Sequence, residues 1–346
     1  MKILGIHDGQ NASAALVVDG RLVRFGLEAR YRRSGEYAGF PRRVIRRILN
    51  EEKLSGDDID AIAFSGHVVK TPRTMRDYLK QFGDTSAIGG VAKTALSYIV
   101  PGAFRSEWRK KDRLEPLARS GLSSAKATFI DSHLAASMLA YNSGVGIHRR
   151  SLILCAGAGN DRMAATVHVA QNGRLERIAT IHEDDSLLNM FEHVTYMLGM
   201  IPTRDEQQVM DLGARAHGPR VESTQKRFEL LFQFDPHLPL NWQRAANLPD
   251  TARCQEFLRN HFRRRRFDTI AGAWHRFLSE FVREWVRRCA HKTEIRDIVL
   301  CGDLFELGEL MAAASDLREV VSLSRSPLPG SAGNAIGAAL LVARDR

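Results

Sequence analysis

One order of local patterns, strand–hairpin–strand–helix–strand–helix, can be read twice along this chain, which a fold with a single sheet and a single core does not accommodate. The first copy opens with Ile3–Ile6, turns at His7-Asp8-Gly9-Gln10-Asn11, and continues as Ala12–Val18 and Arg21–Phe25 across Asp19-Gly20. Short β-type runs broken by Gly, Asn and Asp predict three antiparallel strands, with Asp-Gly as the second turn. Helix Pro41–Glu52 follows, with Val44, Ile45, Ile48 and Leu49 on one face and Arg42, Arg43, Arg46 and Arg47 around it. Asp60–Ser65 and Ala127–Ile130 read as strands and Ser132–Tyr141 as a helix, while residues 70–120 are basic and irregular.

The second copy begins at Ser151–Cys155, passes through the glycine turn Ala156-Gly157-Ala158-Gly159-Asn160-Asp161, and continues as Met163–Val169 and Arg174–Ile181 across Asn172-Gly173. Helical patterns cover Leu187–Leu198, Val221–Phe232 and Asp268–His291. Strand Ile298–Cys301, helix Phe305–Ala314, strand Val320–Ser322 and helix Ser331–Ala343 complete it. The expectation is an α/β fold of two βββαβα halves, 1–150 and 151–346, around a cleft. The turns at Asp8-Gly9 and Gly157–Gly159 would face that cleft. Bare backbone N–H groups there can cradle a phosphate, or the glycines simply connect strands.

A length of 346 residues suits two halves of ~150–200 residues each. With 44% hydrophobic and 26% charged residues, collagen-like and wholly disordered chains are excluded. Apolar stretches such as Leu187–Ile201 are interrupted short of the ~20 residues a membrane span needs, and Met1–Gly5 runs straight into a strand, with no signal peptide expected. Cys155, Cys254, Cys289 and Cys301 form no Cys-x-x-Cys pair and read as reduced, buried thiols of a cytoplasmic protein. The net charge of +10 suits nucleic acid, an acidic cofactor or an acidic protein alike.

Gly5-Ile6-His7-Asp8 with Ala12–Gly20 resembles the opening of the O-carbamoyltransferases of antibiotic and nodulation-factor biosynthesis. The resemblance continues through Leu27-Glu28-Ala29-Arg30-Tyr31-Arg32-Arg33 and Phe40-Pro41-Arg42. It resumes at Ser186-Leu187, Thr195–Gly199, Asp205-Glu206 with Val209-Met210, and Pro329–Leu340. These blocks run in order over both halves. The resemblance implies an actin-like ATPase (sugar kinase/actin-type) fold that passes a carbamoyl group from carbamoyl-adenylate to a small-molecule hydroxyl. It also implies a C-terminal carbamoyl-adenylate-forming domain, which is expected to be absent here.

Such enzymes hold a divalent metal with two histidines four apart on a helix and with aspartates from two loops, which a shared helical face and paired charge make reasonable. At the corresponding positions this chain has Ser132, Ala136, Ala156 and Ser331, with His133 beside the first. A phosphate-facing lysine becomes Gln208, an anion enters at Asp303 after Gly302, and Leu188 replaces a glycine after Ser186-Leu187. With that charge gone, the metal's desolvation goes uncompensated. No cofactor is therefore expected: the family's metal and its ATP or carbamoyl-adenylate are read as lost. Gly9, Asn11, Gly157, Gly159, Gly302, Gly330 and Gly333 remain as phosphate-facing positions implied by the resemblance.

His7 and Asp8 are the catalytic candidates, as a general base on an acceptor hydroxyl, or else a turn-capping Asp beside a solvent-facing His. Glu28, Arg30, Arg33 and Glu206 match positions on the acceptor side. Arg263–Arg266, with Arg105, Arg109, Lys110, Lys111 and Arg113, forms a candidate nucleic-acid patch or a solvated edge. The Trp274/Phe277/Leu278/Phe281/Trp285 stripe reads as core or subunit interface. The preferred reading is a degenerate carbamoyltransferase-like subunit of natural-product biosynthesis, paired with a full-length active homologue or with itself. A metal-independent acyl transferase is the alternative, and a nucleic-acid binder ranks third; no membrane contact is expected.

Overall fold

A computed structural model describes residues 1–32, 37–67, 113–123, 126–144, 149–157, 160–328 and 330–344. Arg33, Gly159, Arg105, Arg109, Lys110, Lys111 and nearly all of the 70–120 insert lie outside the described residues. The chain forms two compact units, Met1–Leu139 with Leu328–Arg346, and Ala140–Pro327. The sequence suggests a division after residue 150, with the C-terminal helix in the second half. In the structure the boundary falls within a helix, and the C-terminal helix packs in the first unit.

In the first unit β1 (Lys2–His7), β2 (Ser13–Val18) and β3 (Arg21–Leu27) are antiparallel, and β4 (Ala61–Ser65) and β5 (Ala127–Ile130) add in parallel beside β1, giving the order β3-β2-β1-β4-β5. In the second, β6 (Ser151–Ala156), β7 (Met163–Gln171) and β8 (Arg174–His182) are antiparallel. There β11 (Asp297–Cys301) and β12 (Ser322–Arg325) add in parallel, for the order β12-β11-β6-β7-β8. The two sheets share one topology. Both hairpin turns owe their shape to the residues foreseen: Asp19-Gly20 has φ of 48° and 75°, Asn172-Gly173 of 50° and 80°, the paired positive values a tight two-residue turn requires. The expected fold class, a duplicated α/β fold, is what the chain adopts.

Helix α1 (Arg42–Glu51) buries Val44, Ile45, Ile48 and Leu49 against Leu4, Ile6, Leu16, Ile62 and Phe64. Helix α2 (Ser132–Ser143) follows β5. The second unit contains α3 (Leu187–Met197), α4 (Glu206–Ala214), α5 (Pro219–Glu229), α6 (Gln255–His261), α7 (Phe267–Thr293) and α8 (Gly308–Ala314), and a small hairpin of β9 (Phe232–Phe234) and β10 (Trp242–Arg244). The aromatic stripe of α7 is core: Trp274 and Trp285 are fully buried, and Trp274 and Phe277 pack on Phe228. All four cysteines are unbridged and buried.

Several expected boundaries move. The helix expected over Val221–Phe232 ends at Glu229, because Phe232 pairs with Arg244 in the hairpin. The one expected over Phe305–Ala314 is broken at Leu307, whose extended backbone separates a 3-10 turn (Asp303–Glu306) from α8. The strand expected at Val320–Ser322 starts at Ser322, its pairing with β11 running to Arg325. The final helix, α9 (Asn334–Arg344), begins after a 3-10 turn, Gly330–Gly333. Helix α9 lies against β1, β2 and β4. Its closeness explains Gly5, where a β-carbon would come within 1.9 Å of the Ala335 carbonyl oxygen.

Candidate functional site

The turn after β1 is built around one carbonyl. His7 is buried rather than solvent-facing. Its Nε2 lies 2.9 Å from the Gln10 carbonyl oxygen, and the Ser331 hydroxyl donates to that oxygen at 2.8 Å. Ser13 Oγ in turn donates to the Ala332 carbonyl at 2.9 Å. Asn11 takes φ of 59° to close the turn, a left-handed conformation that Asn tolerates better than most residues. Gly9 is buried within the turn, and Gly330 has φ of 47°. The Gly330–Gly333 turn is thus stitched to the β1–β2 turn by two serine hydroxyls, and Gly333 is packed against Leu139.

Asp8 does not stand free beside His7. Arg113 Nε and Nη2 donate to its two carboxylate oxygens, each at 2.7 Å, and Nη2 also donates to the Ser65 carbonyl at 3.0 Å while Nη1 donates to that of Gly66. The Arg113 guanidinium sits 5.0 Å and 4.9 Å from the ring centres of Phe64 and Phe129. The two side chains are only 8% and 10% exposed. A two-point, largely dry pairing of this kind stabilises a carboxylate as a structural anion and leaves neither oxygen available as a base. In the sequence Arg113 stands out only as one member of a basic cluster; its spacing from Asp8 carries no local signal.

Glu28 is fully buried, and its role is local architecture. Its Oε2 accepts the backbone N–H groups of Arg43 and Val44 at 3.0 and 3.1 Å, and its Oε1 accepts from Arg32 Nη2 at 3.0 Å. Pro41, at the N-cap of α1, supplies no side-chain cap. Glu28, 15 residues before Arg43, fills that place, satisfying N–H groups that a helix start leaves open. Arg30 is exposed.

In the second unit, the first strand ends at Ala156 and Gly157, whose N–H donates to Ala164. The Ser186 hydroxyl caps α3 by accepting from the Asn189 N–H and also donates to the Gly157 carbonyl. Asp303 Oδ2 stands 3.3 Å from where a β-carbon of Gly157 would lie. Gly302 has φ of 94°, and a β-carbon on it would meet the Ala156 carbonyl oxygen at 2.3 Å, so β11 can turn here only with glycine. A carboxylate therefore sits beside the glycine turn.

Glu206 opens α4. Burial pushes its carboxyl up to about 7, with the charges of Glu192 and Asp205 adding to the rise, against the Thr203 N–H, which donates to Oε1 at 2.7 Å. Asp205 is held low by Arg204 and the Ile201 N–H. Gln208 donates to Asp205 at 3.3 Å.

Ser132, Ala136, Ala156 and Ser331 are all buried, as is His133. Among the described residues no group of three or more His, Cys, Asp and Glu side chains is placed to hold a metal ion. Arg263–Arg266 form the connection between α6 and α7, with Arg266 paired to Asp268. Among the described residues, no helix is long and apolar enough to cross a membrane.

No protein-family model matches the chain. In sequence it is 24% identical over 213 residues to an uncharacterized protein, MJ1051, of Methanocaldococcus jannaschii; the match takes in 61% of this chain but spans only a third (33%) of the length of that relative. Three solved structures are similar over the whole of this chain. The activator of the 2-hydroxyisocaproyl-CoA dehydratase from Clostridium difficile, with bound ADPNP, is 13% identical with 95% of its own length covered and a TM-score of 0.48. Component A of the (R)-2-hydroxyglutaryl-CoA dehydratase of Acidaminococcus fermentans is 14% identical, 98% covered, at 0.49. The ROK hexokinase from Thermus thermophilus is 15% identical, 100% covered, at 0.43. The fold assignment stands on the shared strand order of the two sheets.

Proposed function

We propose that this chain is a carbamoyltransferase-like protein of small-molecule biosynthesis that has given up the transfer chemistry and assists an active, full-length homologue as a partner subunit. The observation that carries this reading is the Ser331–Gln10 bond. Where the resemblance implies a ligand aspartate, the hydroxyl of Ser331 is committed as a donor to a backbone carbonyl. An ionised aspartate accepts only and has no proton to give that oxygen. The position serves to tether the turn. Asp8, locked on Arg113, and Asp303, beside Gly157, support the same reading: the first is withdrawn from catalysis, and the second opposes a phosphate at the glycine turn.

The proposal extends to the cofactors: neither the divalent metal nor the carbamoyl-adenylate of the family is held at these positions. Co-expression with a full-length carbamoyltransferase homologue, followed by affinity capture and size-exclusion chromatography, should give a stable hetero-oligomer. A chain that stays solitary and, by itself, carbamoylates a small hydroxyl acceptor from carbamoyl-adenylate would refute it.

A second reading, metal-independent acyl transfer to a small-molecule hydroxyl or amine, draws on Glu206. A carboxyl that titrates at about 7 is suited to general acid–base work at neutral pH. This reading requires turnover that disappears in Glu206→Gln.

A further inference from the structure

We propose that the outward face of α1 binds the phosphate backbone of a nucleic acid without reading its sequence. Arg42, Arg43, Arg46 and Arg47, with Asn50 and Glu51, line an open concavity of about 390 Å³. The four guanidiniums stand on this face because the other face is consumed by the core: Val44, Ile45, Ile48 and Leu49 are all buried. Arg42 and Arg46, and Arg43 and Arg47, are each four residues apart, so they form two rows with about 6 Å of rise between members.

The charges on this face are not internally cancelled. Glu51, the lone carboxylate of the concavity, is claimed by Arg47 and approached by Arg24, which pairs with Glu52 at 2.6 Å. Arg43 donates to the Tyr31 carbonyl, and Arg47 to the Tyr31 hydroxyl at 2.8 Å, which holds these two long side chains in place. Among the described residues Arg42 and Arg46 have no carboxylate partner. A patch of planar, permanently charged forks, partly pre-ordered and partly open, suits phosphate oxygens.

Repetition along the helix selects a linear polyanion over a single phosphate. The lining has no exposed apolar side chain, which argues against a lipid surface, since an interfacial helix inserts an apolar face. It also offers no open aromatic platform for stacking a base, Tyr31 being covered by Arg47; contact is therefore with the backbone. The overall charge of +10 favours such an encounter and opposes self-association through this face. Arg263–Arg266, the run that stands out in the sequence, is a weaker candidate, because it is a short turn in which Arg266 is engaged by Asp268.

Fluorescence anisotropy of the full chain with labelled 20-nucleotide RNA and 20-base-pair DNA, between 50 and 200 mM KCl, tests this. The double variant Arg42→Gln/Arg46→Gln should bind at least about 10-fold more weakly and lower the slope of log K against log salt by roughly 1.4–1.8, two phosphate contacts' worth. Gln is close to Arg in helix propensity, so the variant's thermal midpoint should stay that of the parent. A four-fold Arg→Gln variant at Arg263–Arg266 should keep most of the affinity. Unchanged binding in the α1 variant, loss only in the Arg263–Arg266 variant, or equal binding of a labelled polyglutamate by the parent would each overturn the proposal.

Discussion

Asp8 and Arg113 are 105 residues apart in the chain and meet through two parallel 2.7 Å hydrogen bonds, at the point where the first strand ends. Arg113 also closes on the carbonyls of Ser65 and Gly66, so one guanidinium joins the β1 turn to the end of β4. Removing it leaves a nearly dry carboxylate with no counter-charge, a more costly outcome than losing the pair as a whole. Arg113→Ala should therefore lower unfolding stability by about 3 kcal/mol. Asp8→Asn/Arg113→Ala should cost less than the sum of Asp8→Asn and Arg113→Ala. Urea titrations of the four proteins give the coupling energy; additive losses would mean that the contact is not a stabilising pair.

The Ser331–Gln10 tether makes a sharper demand. Ser331→Asp restores the carboxylate that the resemblance implies, yet it replaces a donor with an acceptor facing the Gln10 carbonyl. The variant should lose about 1–3 kcal/mol and gain no measurable affinity for Mg2+, Mn2+ or Fe2+ by calorimetry. Ser331→Ala should lose less, since it removes the donor without adding a charge. A tight metal complex in Ser331→Asp would show that the remaining ligands still stand ready around this position.

How much of this could be read in advance depended on chain separation. Asp19-Gly20, Asn172-Gly173 and the apolar stripe of α1 are local, and their turn and helix patterns carried through to the structure. Boundaries failed where tertiary pairing competed with local periodicity, as at Phe232, which leaves a helical pattern to join a hairpin, and at Leu307. Helices as short as α4 and α6 span too few turns for a period to show. Within the candidate site, the positions Ser132, Ala136, Ala156 and Ser331 were legible in advance. What each side chain now touches was not, because Arg113 reaches Asp8 and Ser331 reaches Gln10 from far along the sequence.

Glu28 illustrates the same point with a different consequence. The resemblance implies an acceptor-side place for it, yet both carboxylate oxygens are spent on α1 and Arg32. Glu28→Ala should cost about 2–3 kcal/mol, from two charge-assisted bonds to helix N–H groups and the isolation of Arg32. Glu28→Gln keeps an acceptor for those N–H groups and should cost roughly half as much. Hydrogen exchange resolves the origin: protection should fall first at Arg43 and Val44, and a uniform loss across the second unit would contradict a capping role.

The raised carboxyl of Glu206 ties stability to pH in a defined direction. Its folded value of about 7 lies above the ordinary 4.5, so between those limits the native state holds a proton that the unfolded chain releases. Stability from this group is fully present below about 4.5 and is lost as pH rises through 7. The whole effect is at most about 3 kcal/mol, less what water screens at this half-buried position. Glu206→Gln stays neutral at every pH, and its amide oxygen can still accept from Thr203. The variant should match the parent near pH 4 and exceed it by pH 8, the difference growing between those values. Denaturant midpoints measured at half-unit steps give that curve; a constant offset would place the titration of Glu206 outside the window, and a variant that is the less stable at pH 8 would reverse the sign of its coupling to folding.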